Sequence, residues 1–377
     1  MPDIAGEYSG DEEPDWETPY SRVCAYKRRL TVGLSEEAMN SKVRVDETEY
    51  FGVEEAPFEH KEVRIRKDRW VTAEFRVSDE LLGKGKFGEV KQCRELRSGR
   101  VLAAKFIDLD GMMDRKEIVN EVNIMKKLQH PRLLQLYAAF ENSKQICLVT
   151  ELITGGELFE RVINDDFILT EKACIAFMRQ ICEGVDFMHK QSVVHLDLKP
   201  ENILCLSREG NRIKIIDFGL AREYVPKEDL RVMFGTPEFT APEVVNFDNI
   251  TLATDLWSVG VICYVLLSGF SPFVGKTDAQ TLCNVTMAKW DFNIEEFDDI
   301  SKDAKAFISA LLVKEPKKRM TAQQCLEHTW LRRSVKRSYR PPERSLSKKK
   351  LKRFVFRRKW QKAVNAMLAL KRLGVKL

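Results

Sequence analysis

The fold of this chain is decided by residues 195–219, which read HLDLKPENILCLSREGNRIKIIDFG. Polar groups stand at both ends of the stretch, at Asp197, Lys199 and Asn202 and again at Asp217, with strand-like residues between them. Carboxylate and amide oxygens suit a hard cation such as Mg²⁺, so Asn202 and Asp217 are candidate metal ligands. Asp197 can accept a hydroxyl proton, and Lys199, two residues on, can reach a phosphoryl group in transfer. The four side chains together suit phosphoryl-transfer chemistry.

A glycine-rich segment upstream suits the same chemistry. Residues 82–90 read LGKGKFGEV, and its glycines allow backbone N–H groups to close over phosphates without side-chain clash. An isolated match of this kind is usually only a glycine-rich turn. A dinucleotide-binding fold would need a helix directly after the last glycine, and strand-like residues follow here instead.

Further motifs follow in order along the chain. They are Ala103-Ala104-Lys105 on a predicted strand, Glu121 on the next predicted helix, the stretch 195–219, Gly235-Thr236-Pro237-Glu238-Phe239, Ala241-Pro242-Glu243 and Asp255-Leu256-Trp257-Ser258-Val259-Gly260. In this order they resemble the eukaryotic protein kinase family over about Val77–Leu331, and its serine/threonine branch in particular. The resemblance implies an α+β fold of two lobes: a small, mostly antiparallel β lobe and a larger helical lobe, followed by a C-terminal regulatory helix.

The resemblance also assigns roles to individual residues. Those assigned to catalysis are Asp197, Lys199, Asn202, Asp217, Lys105 and Glu121, with Mg²⁺ held by Asn202 and Asp217. Those assigned to ATP binding are Leu82, Gly83, Lys84, Gly85, Lys86, Phe87, Gly88, Val90, Ala103, Lys105, Thr150, Glu151, Ile153 and Glu157. Substrate binding is assigned to Glu157, Glu201 and Thr236, and structural support to Glu243, Asp255 and Arg319.

The sequence departs from the family pattern in the region that usually carries a regulatory phosphate. Most kinases have Arg between the His and Asp of the catalytic loop, where it grips that phosphate, and this chain has Leu196. The segment Leu220–Phe234 contains no Ser or Thr, and Tyr224 is its only hydroxyl. We therefore expect control to come from elsewhere. A kinase that is always active is the alternative.

The C-terminal tail differs from the rest of the chain in charge. Residues 344–377 hold thirteen Lys or Arg and no acid, which leaves the first 343 residues at −8 because the whole chain carries +5. On a helix, Val364 and Met367 fall within about 40° of Trp360 and form one apolar face, whereas Leu373 lies about 20 Å further along the axis and is turned away. Basic amphipathic helices of this kind resemble calmodulin targets. The residues assigned to calmodulin are Arg357, Arg358, Lys359, Trp360, Val364, Met367 and Leu373. The alternatives are a solvated basic helix, a membrane-surface helix and a nuclear signal at Lys348–Arg353.

Three features narrow the resemblance to the myosin light chain kinases, with giant muscle kinases and death-associated kinases as relatives. They are His-Leu-Asp at 195–197, Gly-Thr-Pro-Glu-Phe at 235–239 and Arg-Arg-Lys-Trp-Gln-Lys at 357–362. The resemblance implies a calcium/calmodulin-dependent kinase that uses ATP and Mg²⁺ and phosphorylates a Ser of myosin regulatory light chain, with Ca²⁺ acting only through calmodulin. Actomyosin is a further expected partner, whereas nucleic acid and membrane are not, and the expected location is the cytoplasm, at the sarcomere or cytoskeleton. The alternatives are another calmodulin-regulated kinase, twitchin-like or death-associated-like, with a different substrate, and a pseudokinase scaffold.

The expected organisation has five parts. They are an acidic, disordered or linker-like extension over 1–62, a lead-in strand over 63–76, the kinase domain over 77–331, an autoinhibitory linker over 332–356 and a calmodulin-binding segment over 357–377. The basic stretch Lys348–Lys359 is expected to compete with basic substrates for Glu157 and Glu201 at high effective concentration until calmodulin removes it. On that hypothesis, a chain that ends near Phe356 stays inhibited.

Composition excludes several classes of protein. With 44% apolar and 32% charged residues, the chain is neither disordered throughout nor collagen-like. Its nine cysteines form no CxxC pair, and no signal peptide is evident, which favours reduced thiols inside a cell.

Strands are expected over Val71–Val77, Cys93–Lys105 and Ile146–Leu152, and helices over Asp114–Leu128, Thr170–Lys190, Thr254–Ser268, Ser301–Val313 and Thr321–Glu327.

Overall fold

The computed structural model describes residues 60–85, 88–109, 114–208, 210–232, 235–332 and 344–372. Residues 1–59 of the predicted extension over 1–62 and the predicted site residues Lys86, Phe87 and Leu373 lie outside these ranges.

A six-stranded sheet forms the smaller lobe. Strands β2, β3, β4, β6 and β5 pair antiparallel in that spatial order, and β1 pairs with β5 in parallel. The strands are β1 Ile65–Arg66, β2 Phe75–Gly85, β3 Gly88–Glu95, β4 Val101–Asp108, β5 Leu136–Glu141 and β6 Gln145–Glu151. The register places Val90 beside Lys105 and Ala103 beside Thr150, so four predicted ATP-site residues lie on adjacent strands.

Three strand predictions in this lobe were wrong in their bounds. Residues Val71–Ala73 form a short 3-10 turn, so the predicted strand Val71–Val77 begins only at Phe75, and of the predicted lead-in strand over 63–76 only β1 and the start of β2 form strands. The predicted strand Cys93–Lys105 is broken between β3 and β4. Gly99 adopts φ 73° there, and its N–H donates to the carbonyl of Glu95 at 2.9 Å. The strand-like alternation of residues continues through this turn, so the sequence pattern did not show the break. The chain reverses at Gly99 because glycine readily adopts a left-handed conformation.

The larger lobe is mostly helical, and the predicted helices are confirmed within about two residues. The elements after β6 are α2 Leu158–Val162, α3 Glu171–Lys190, β7 Val193–Val194, β8 Ile203–Cys205, β9 Ile213–Ile215, β10 Arg222–Glu223, α4 Pro242–Val245, α5 Ala253–Ser268, α6 Asp278–Met287, α7 Lys302–Leu311, α8 Ala322–Glu327 and α9 Thr329–Arg332. Helix α1, Arg115–Lys127, packs in the smaller lobe. The helices α1, α3, α7 and α8 begin after Asp114, Thr170, Ser301 and Thr321, whose side chains accept hydrogen bonds from first-turn N–H groups.

The core sits chiefly in the larger lobe. Helix α5 is apolar on all sides and buried from Thr254 to Ser268, which makes it the central helix of that lobe. One face of α1, with Ile118, Val122 and Met125, is buried in the same continuous core, as is Leu128 directly after the helix. None of the helices in the described part of the chain is both long and apolar enough to cross a membrane.

The tail forms one continuous helix, α10, over Lys349–Arg372. The predicted boundary between an autoinhibitory linker and a calmodulin-binding segment, at 356/357, falls inside this helix. Residues 333–343 of the predicted linker lie outside the described ranges.

A buried ion pair in the larger lobe joins two of the residues that sequence analysis assigned to structural support. The Arg319 guanidinium contacts the two Glu243 carboxylate oxygens at 2.9 and 3.1 Å, and the two side chains are 0% and 4% exposed. Arg319 also donates to the carbonyls of Ala253 and Val313 and lies over the ring of Trp257, at 5.3 Å from its centroid. One guanidinium thus ties α4 to the start of α5.

We expect Arg319→Met to lower the free energy of unfolding by about 3–5 kcal/mol, because it leaves the Glu243 carboxylate buried without its partner. Chemical denaturation of the full chain measures the change. The double variant Arg319→Met/Glu243→Leu should recover much of the loss. A loss below about 1 kcal/mol in the single variant would show that the pair does not support the lobe.

Candidate active site

The first element of the site is an ion pair between the sheet and helix α1. Lys105 Nζ on β4 lies 3.1 Å from Glu121 Oε1 on α1, and Glu121 is 5% exposed. The α1 helix therefore lies close enough for Glu121 to fix the Lys105 ammonium. That ammonium keeps further N–H donors, which suit phosphate oxygens.

Asp255, in the first turn of α5, fixes the catalytic loop by hydrogen bonds to its backbone. Its carboxylate accepts hydrogen bonds from the backbone N–H of His195 at 2.9 Å and of Leu196 at 3.0 Å, and it lies 2.9 Å from His189 Nε2. Burial alone would raise the pKa of Asp255, but the hydrogen bond and charge of His189 and the contacts with His195 outweigh it and lower that pKa. The carboxylate is thus held ionised as the anchor of the loop.

The polar groups of the loop converge on Asp197. Lys199 Nζ lies 2.6 Å from Asp197 Oδ2, and Asn202 Nδ2 donates to Asp197 Oδ2 at 3.1 Å and to its carbonyl at 2.9 Å. Both Asn202 bonds use the amide nitrogen, so the Oδ1 oxygen is the atom that suits a cation. The three predicted catalytic residues of this loop therefore form one hydrogen-bonded group.

The segment 217–219 joins this group to Glu121. A Cβ placed on Gly219 would lie 3.5 Å from Asp217 Oδ1 and 3.9 Å from Glu121 Oε2, so the metal-ligand candidate Asp217 and the α1 carboxylate lie around the same glycine. Phe218 is fully buried against the ring of His195, with centroids 5.4 Å apart. Asp217 and Leu196 adopt φ 68° and 66°, a left-handed conformation that costs free energy for residues other than glycine. Strain at both ends of the catalytic stretch is typical of a functional site.

Of the residues predicted for the nucleotide, Val90, Ala103, Lys105, Thr150 and Glu151 lie on the strands β3, β4 and β6, and two observations refine the assignments. Gly88 must be glycine, because a Cβ there would lie 1.7 Å from the carbonyl oxygen of Phe106, whereas the same test at Gly83 meets no atom within 4 Å. The Glu151 carboxylate is engaged structurally, 2.7 Å from Lys214 Nζ and accepting from the backbone N–H of Gln135 at 2.7 Å. Because the Glu151 side chain is already engaged, its backbone is the part that is suited to bind an adenine base.

Basic residues of α10 lie on the acidic residues predicted to bind substrate. Arg358 Nη2 lies 2.6 Å from Glu201 Oε1, and Lys362 Nζ lies 3.4 Å from the same oxygen and 3.9 Å from Glu157. Burial raises the pKa of Glu157, and Lys362 only partly opposes it. At Glu201 the charges of Arg358 and Lys362 outweigh burial and lower the pKa. The predicted substrate carboxylates are thus covered by the chain's own tail.

Two further acids in this contact were missed by the sequence analysis. Arg357 Nη2 lies 2.9 and 3.0 Å from the Glu238 oxygens, and Lys359 Nζ lies 2.7 Å from Glu160. Glu238 belongs to the Gly-Thr-Pro-Glu motif, and Glu160 follows Glu157 by three residues, so both were visible as neighbours of assigned residues. These ion pairs come from residues beyond Phe356, so the expected inhibitory contact is displaced towards the C-terminus relative to the predicted linker.

The N-terminal half of the tail docks through apolar side chains and backbone. Leu351, Phe354 and Val355 are 1–5% exposed and belong to the core, and the backbone at Leu351 covers Gly269 at the end of α5. Leu346 N–H donates to the carbonyl of Leu169 at 2.8 Å. The spacing 351, 354, 355 is that of one helical face, a signal that the sequence did carry.

The opposite face of α10 is open. Phe356 and Trp360 are 61% and 66% exposed, and Met367 is 43% exposed. Val364 is partly buried. The apolar face predicted for calmodulin is therefore on the solvent side of the helix where its side chains are described.

A cavity of about 510 Å³ remains between the tail and the catalytic loop. Thr236 and Lys199 line it from the kinase side, and Arg358 and Lys362 from the tail. Thr236 thus lies beside Lys199 of the catalytic loop. The cavity shows that the tail lies over Glu201 without filling the space next to Lys199.

The residues present fit a divalent cation. Asp217 contributes carboxylate oxygens and Asn202 contributes Oδ1, both hard oxygen donors. The two belong to segments tied together by the hydrogen bond from Ile216 N–H to the carbonyl of Asn202 at 2.9 Å.

Comparison with known proteins identifies the family. Residues 76–331 match the family model described as a protein kinase domain. Over 277 residues the chain is 53% identical to human Myosin light chain kinase family member 4, covering 73% of this chain and 71% of that protein. It is 49% identical over 319 residues to rat Myosin light chain kinase 3, covering 84% of this chain but only 40% of the relative. The chain thus spans less than half the length of that relative.

Among solved structures, a twitchin kinase fragment from C. elegans superposes with a TM-score of 0.76 at 37% identity, covering 82% of this chain and 68% of the other. The two-lobed α+β fold expected from the motifs is thereby confirmed. The order of the motifs, the geometry around Asp197 and these similarities lead to one conclusion: the chain belongs to the protein kinase family and, within it, to the myosin light chain kinases.

Proposed function

We propose that this chain is an ATP-dependent serine/threonine protein kinase that its own helix α10 inhibits and Ca²⁺-calmodulin activates. Its proposed substrate is a Ser of myosin regulatory light chain, and its proposed location is the cytoplasm, in association with the sarcomere. The observation that carries the proposal is the ion pair of Arg358 with Glu201, beside an intact catalytic group. The twitchin relative is described as an autoregulated protein kinase, which supports the inhibitory part.

The catalytic step follows from the geometry around Asp197. Its carboxylate would orient the substrate hydroxyl and accept the proton as the oxygen attacks the γ-phosphorus, and the bond to the β-phosphate oxygen breaks. Lys199, 2.6 Å from Asp197, would neutralise charge on the transferring phosphoryl group. Lys105, fixed by Glu121, would hold the remaining phosphates. Mg²⁺, when bound by Asp217 and Asn202, supplies charge neutralisation of the phosphates.

Inhibition follows from competition for the same carboxylates. A substrate with basic residues upstream of its Ser would need Glu201 and Glu157, which α10 occupies. Because the helix is part of the chain, its effective concentration is of about millimolar order, so weak ion pairs suffice. The described residues of α10 contact the larger lobe. We therefore infer that α10 competes with the protein substrate for Glu201 and Glu157.

Activation follows from the two faces of α10. Calmodulin wraps a target helix on all sides, whereas the kinase needs the face of Leu351, Phe354 and Arg358. The two bound states exclude each other, so calmodulin would shift the equilibrium towards the open groove. The exposed position of Trp360 leaves an anchor for calmodulin on the inhibited kinase.

Catalysis and substrate class are tested together. With Ca²⁺-calmodulin the purified chain should phosphorylate regulatory light chain, and Asp197→Asn should lower kcat by about 100-fold or more while nucleotide binding persists. Asp298→Asn, a change at an exposed acid, is the control and should leave kcat unchanged. Equal activity on light chain and on a generic basic peptide would favour a calmodulin-regulated kinase with another substrate. No turnover on either would favour a pseudokinase.

Inhibition by the tail predicts a gain of activity. Arg358→Glu should raise activity without Ca²⁺ by at least about 10-fold, because it places a third carboxylate beside Glu201 and Glu238. Arg353→Glu makes the same charge change at an exposed position of α10 and should leave the calcium-free activity low.

Chain ends test the same mechanism. A chain ending at Arg340 should be active without Ca²⁺. One ending at Phe356 should be partly active, since it keeps the apolar docking but loses Arg357, Arg358 and Lys362. This revises the expectation from sequence that it stays inhibited. If Arg358→Glu and both shortened chains remained inactive, inhibition would not lie in α10.

Calmodulin binding is tested at Trp360. Trp360→Ala should weaken the affinity for Ca²⁺-calmodulin by at least about 10-fold, because an aromatic anchor in a desolvated groove contributes about 2 kcal/mol or more. Calcium-free activity should stay low, since Trp360 faces solvent in the inhibited kinase. Gln361→Ala is the neighbouring control. Titration calorimetry measures both variants, and an unchanged affinity in Trp360→Ala would move the anchor elsewhere.

A further inference from the structure

Helix α1 is held in place by the segment that directly follows Asp217-Phe218-Gly219. Asn120 Nδ2 on α1 donates to the carbonyl of Ala221 at 3.1 Å. Glu117 Oε2, also on α1, lies 2.9 Å from Arg222 Nη2. At the far end of α1, Lys127 pairs with Glu223. Three consecutive residues, Ala221 to Glu223, therefore contact three separate positions along the helix that carries Glu121.

Arg222 is oriented for this contact by its own loop. Its Nη1 donates to the carbonyls of Ala221 at 2.9 Å and Gly219 at 3.5 Å, which directs Nη2 to the Glu117 carboxylate. The backbone of Arg222 also pairs with Val194 of β7, next to His195. One residue thus connects the α1 helix, the metal-binding loop and the base of the catalytic loop.

The sequence gives this connection particular weight. The segment Leu220–Phe234 has no Ser or Thr that could be phosphorylated, and Leu196 replaces the arginine that would grip such a phosphate. A kinase still needs Glu121 against Lys105 for turnover. Some unmodified contact must therefore hold α1 against the segment after Gly219, and the described contacts of α1 with that segment are those of Asn120, Glu117 and Lys127.

We propose that Arg222 and Glu117 are a positioning pair that holds Glu121 on Lys105 without any phosphorylation of the activation segment. This inference rests on the proposed kinase function and deepens it. Neither residue reaches the nucleotide or the protein substrate: the pair acts through the position of α1. Arg222 and Glu117 are 23% and 44% exposed, so solvent partly screens their attraction. Loss of the pair should therefore weaken nucleotide binding about fivefold.

Neutral variants in the full chain test the pair. Arg222→Gln and Glu117→Gln should each weaken the binding of a fluorescent ATP analogue about fivefold and lower kcat on a basic peptide by a similar factor. The KM for the peptide should not change, because Glu201 and Glu238 lie in the other lobe. The double variant should be no worse than the poorer single variant, and Arg222→Lys should restore most of the loss.

The chain offers a matched control on the same helix. Arg115 forms an equally close ion pair with Glu141, 2.8 Å at both contacts, but it ties α1 to β5 and not to the activation segment. Arg115→Gln should leave nucleotide affinity and kcat near those of the unmodified chain. Thermal unfolding of each variant shows whether it is folded. Raising the KCl concentration should shrink the difference in affinity between the unmodified chain and the double variant, since salt screens the pair.

Two results would overturn the proposal. One is that losses in the double variant multiply to about 25-fold, which would mean that the two residues act independently. The other is an equal loss in Arg115→Gln, which would mean that any support of α1 has the same effect. Nucleotide binding needs neither calmodulin nor light chain. The outcome of this test can therefore be told apart from a failure of the proposed regulation or of the proposed substrate.

Discussion

The geometry of the site depends on one buried carboxylate. Asp255 receives the backbone N–H groups of His195 and Leu196 together with the ring of His189, and it is 1% exposed. These bonds hold Leu196 in a left-handed conformation that it would otherwise avoid. Without that constraint the loop could not present Asp197, Lys199 and Asn202 to one point. Because Asp255 lies in the first turn of α5, which is buried from Thr254 to Ser268, the catalytic loop is supported directly by the core.

A second dependence links the lobes through charge. Lys105 and Glu121 meet only if α1 lies against the sheet, and α1 in turn is tied to the segment after Gly219. The sheet, α1 and the segment after Gly219 are therefore coupled through short polar contacts, and most members of these contacts are at least partly exposed, whereas Glu121 is buried. Such contacts are individually weak. Their effect comes from orienting groups that the core has already brought within reach.

The tail lies on the acidic residues that we propose bind a basic substrate. Its docking combines apolar burial at Leu351, Phe354 and Val355 with ion pairs at Arg357, Arg358, Lys359 and Lys362. The apolar part gives the helix its position, and the charged part covers the carboxylates. The opposite face keeps Trp360 and Phe356 in water, an arrangement that costs free energy unless another protein covers them.

The sequence by itself determined the family and the helices α1, α3, α5, α7 and α8, because motif order, caps and 3.6-residue periodicity are local signals. It also determined that the tail is a basic amphipathic helix. Only the tertiary structure decided which carboxylates that helix meets, since Arg358 and Glu201 are 157 residues apart and their contact depends on how α10 is rotated over α5. Successive residues of a helix are turned by about 100°, so Arg358 lies in the groove whereas Trp360, two residues on, faces solvent. For the same reason spacing could not show that Arg357 meets Glu238, that Lys359 meets Glu160 or that Arg222 meets Glu117, since each pairing is set by packing between distant segments.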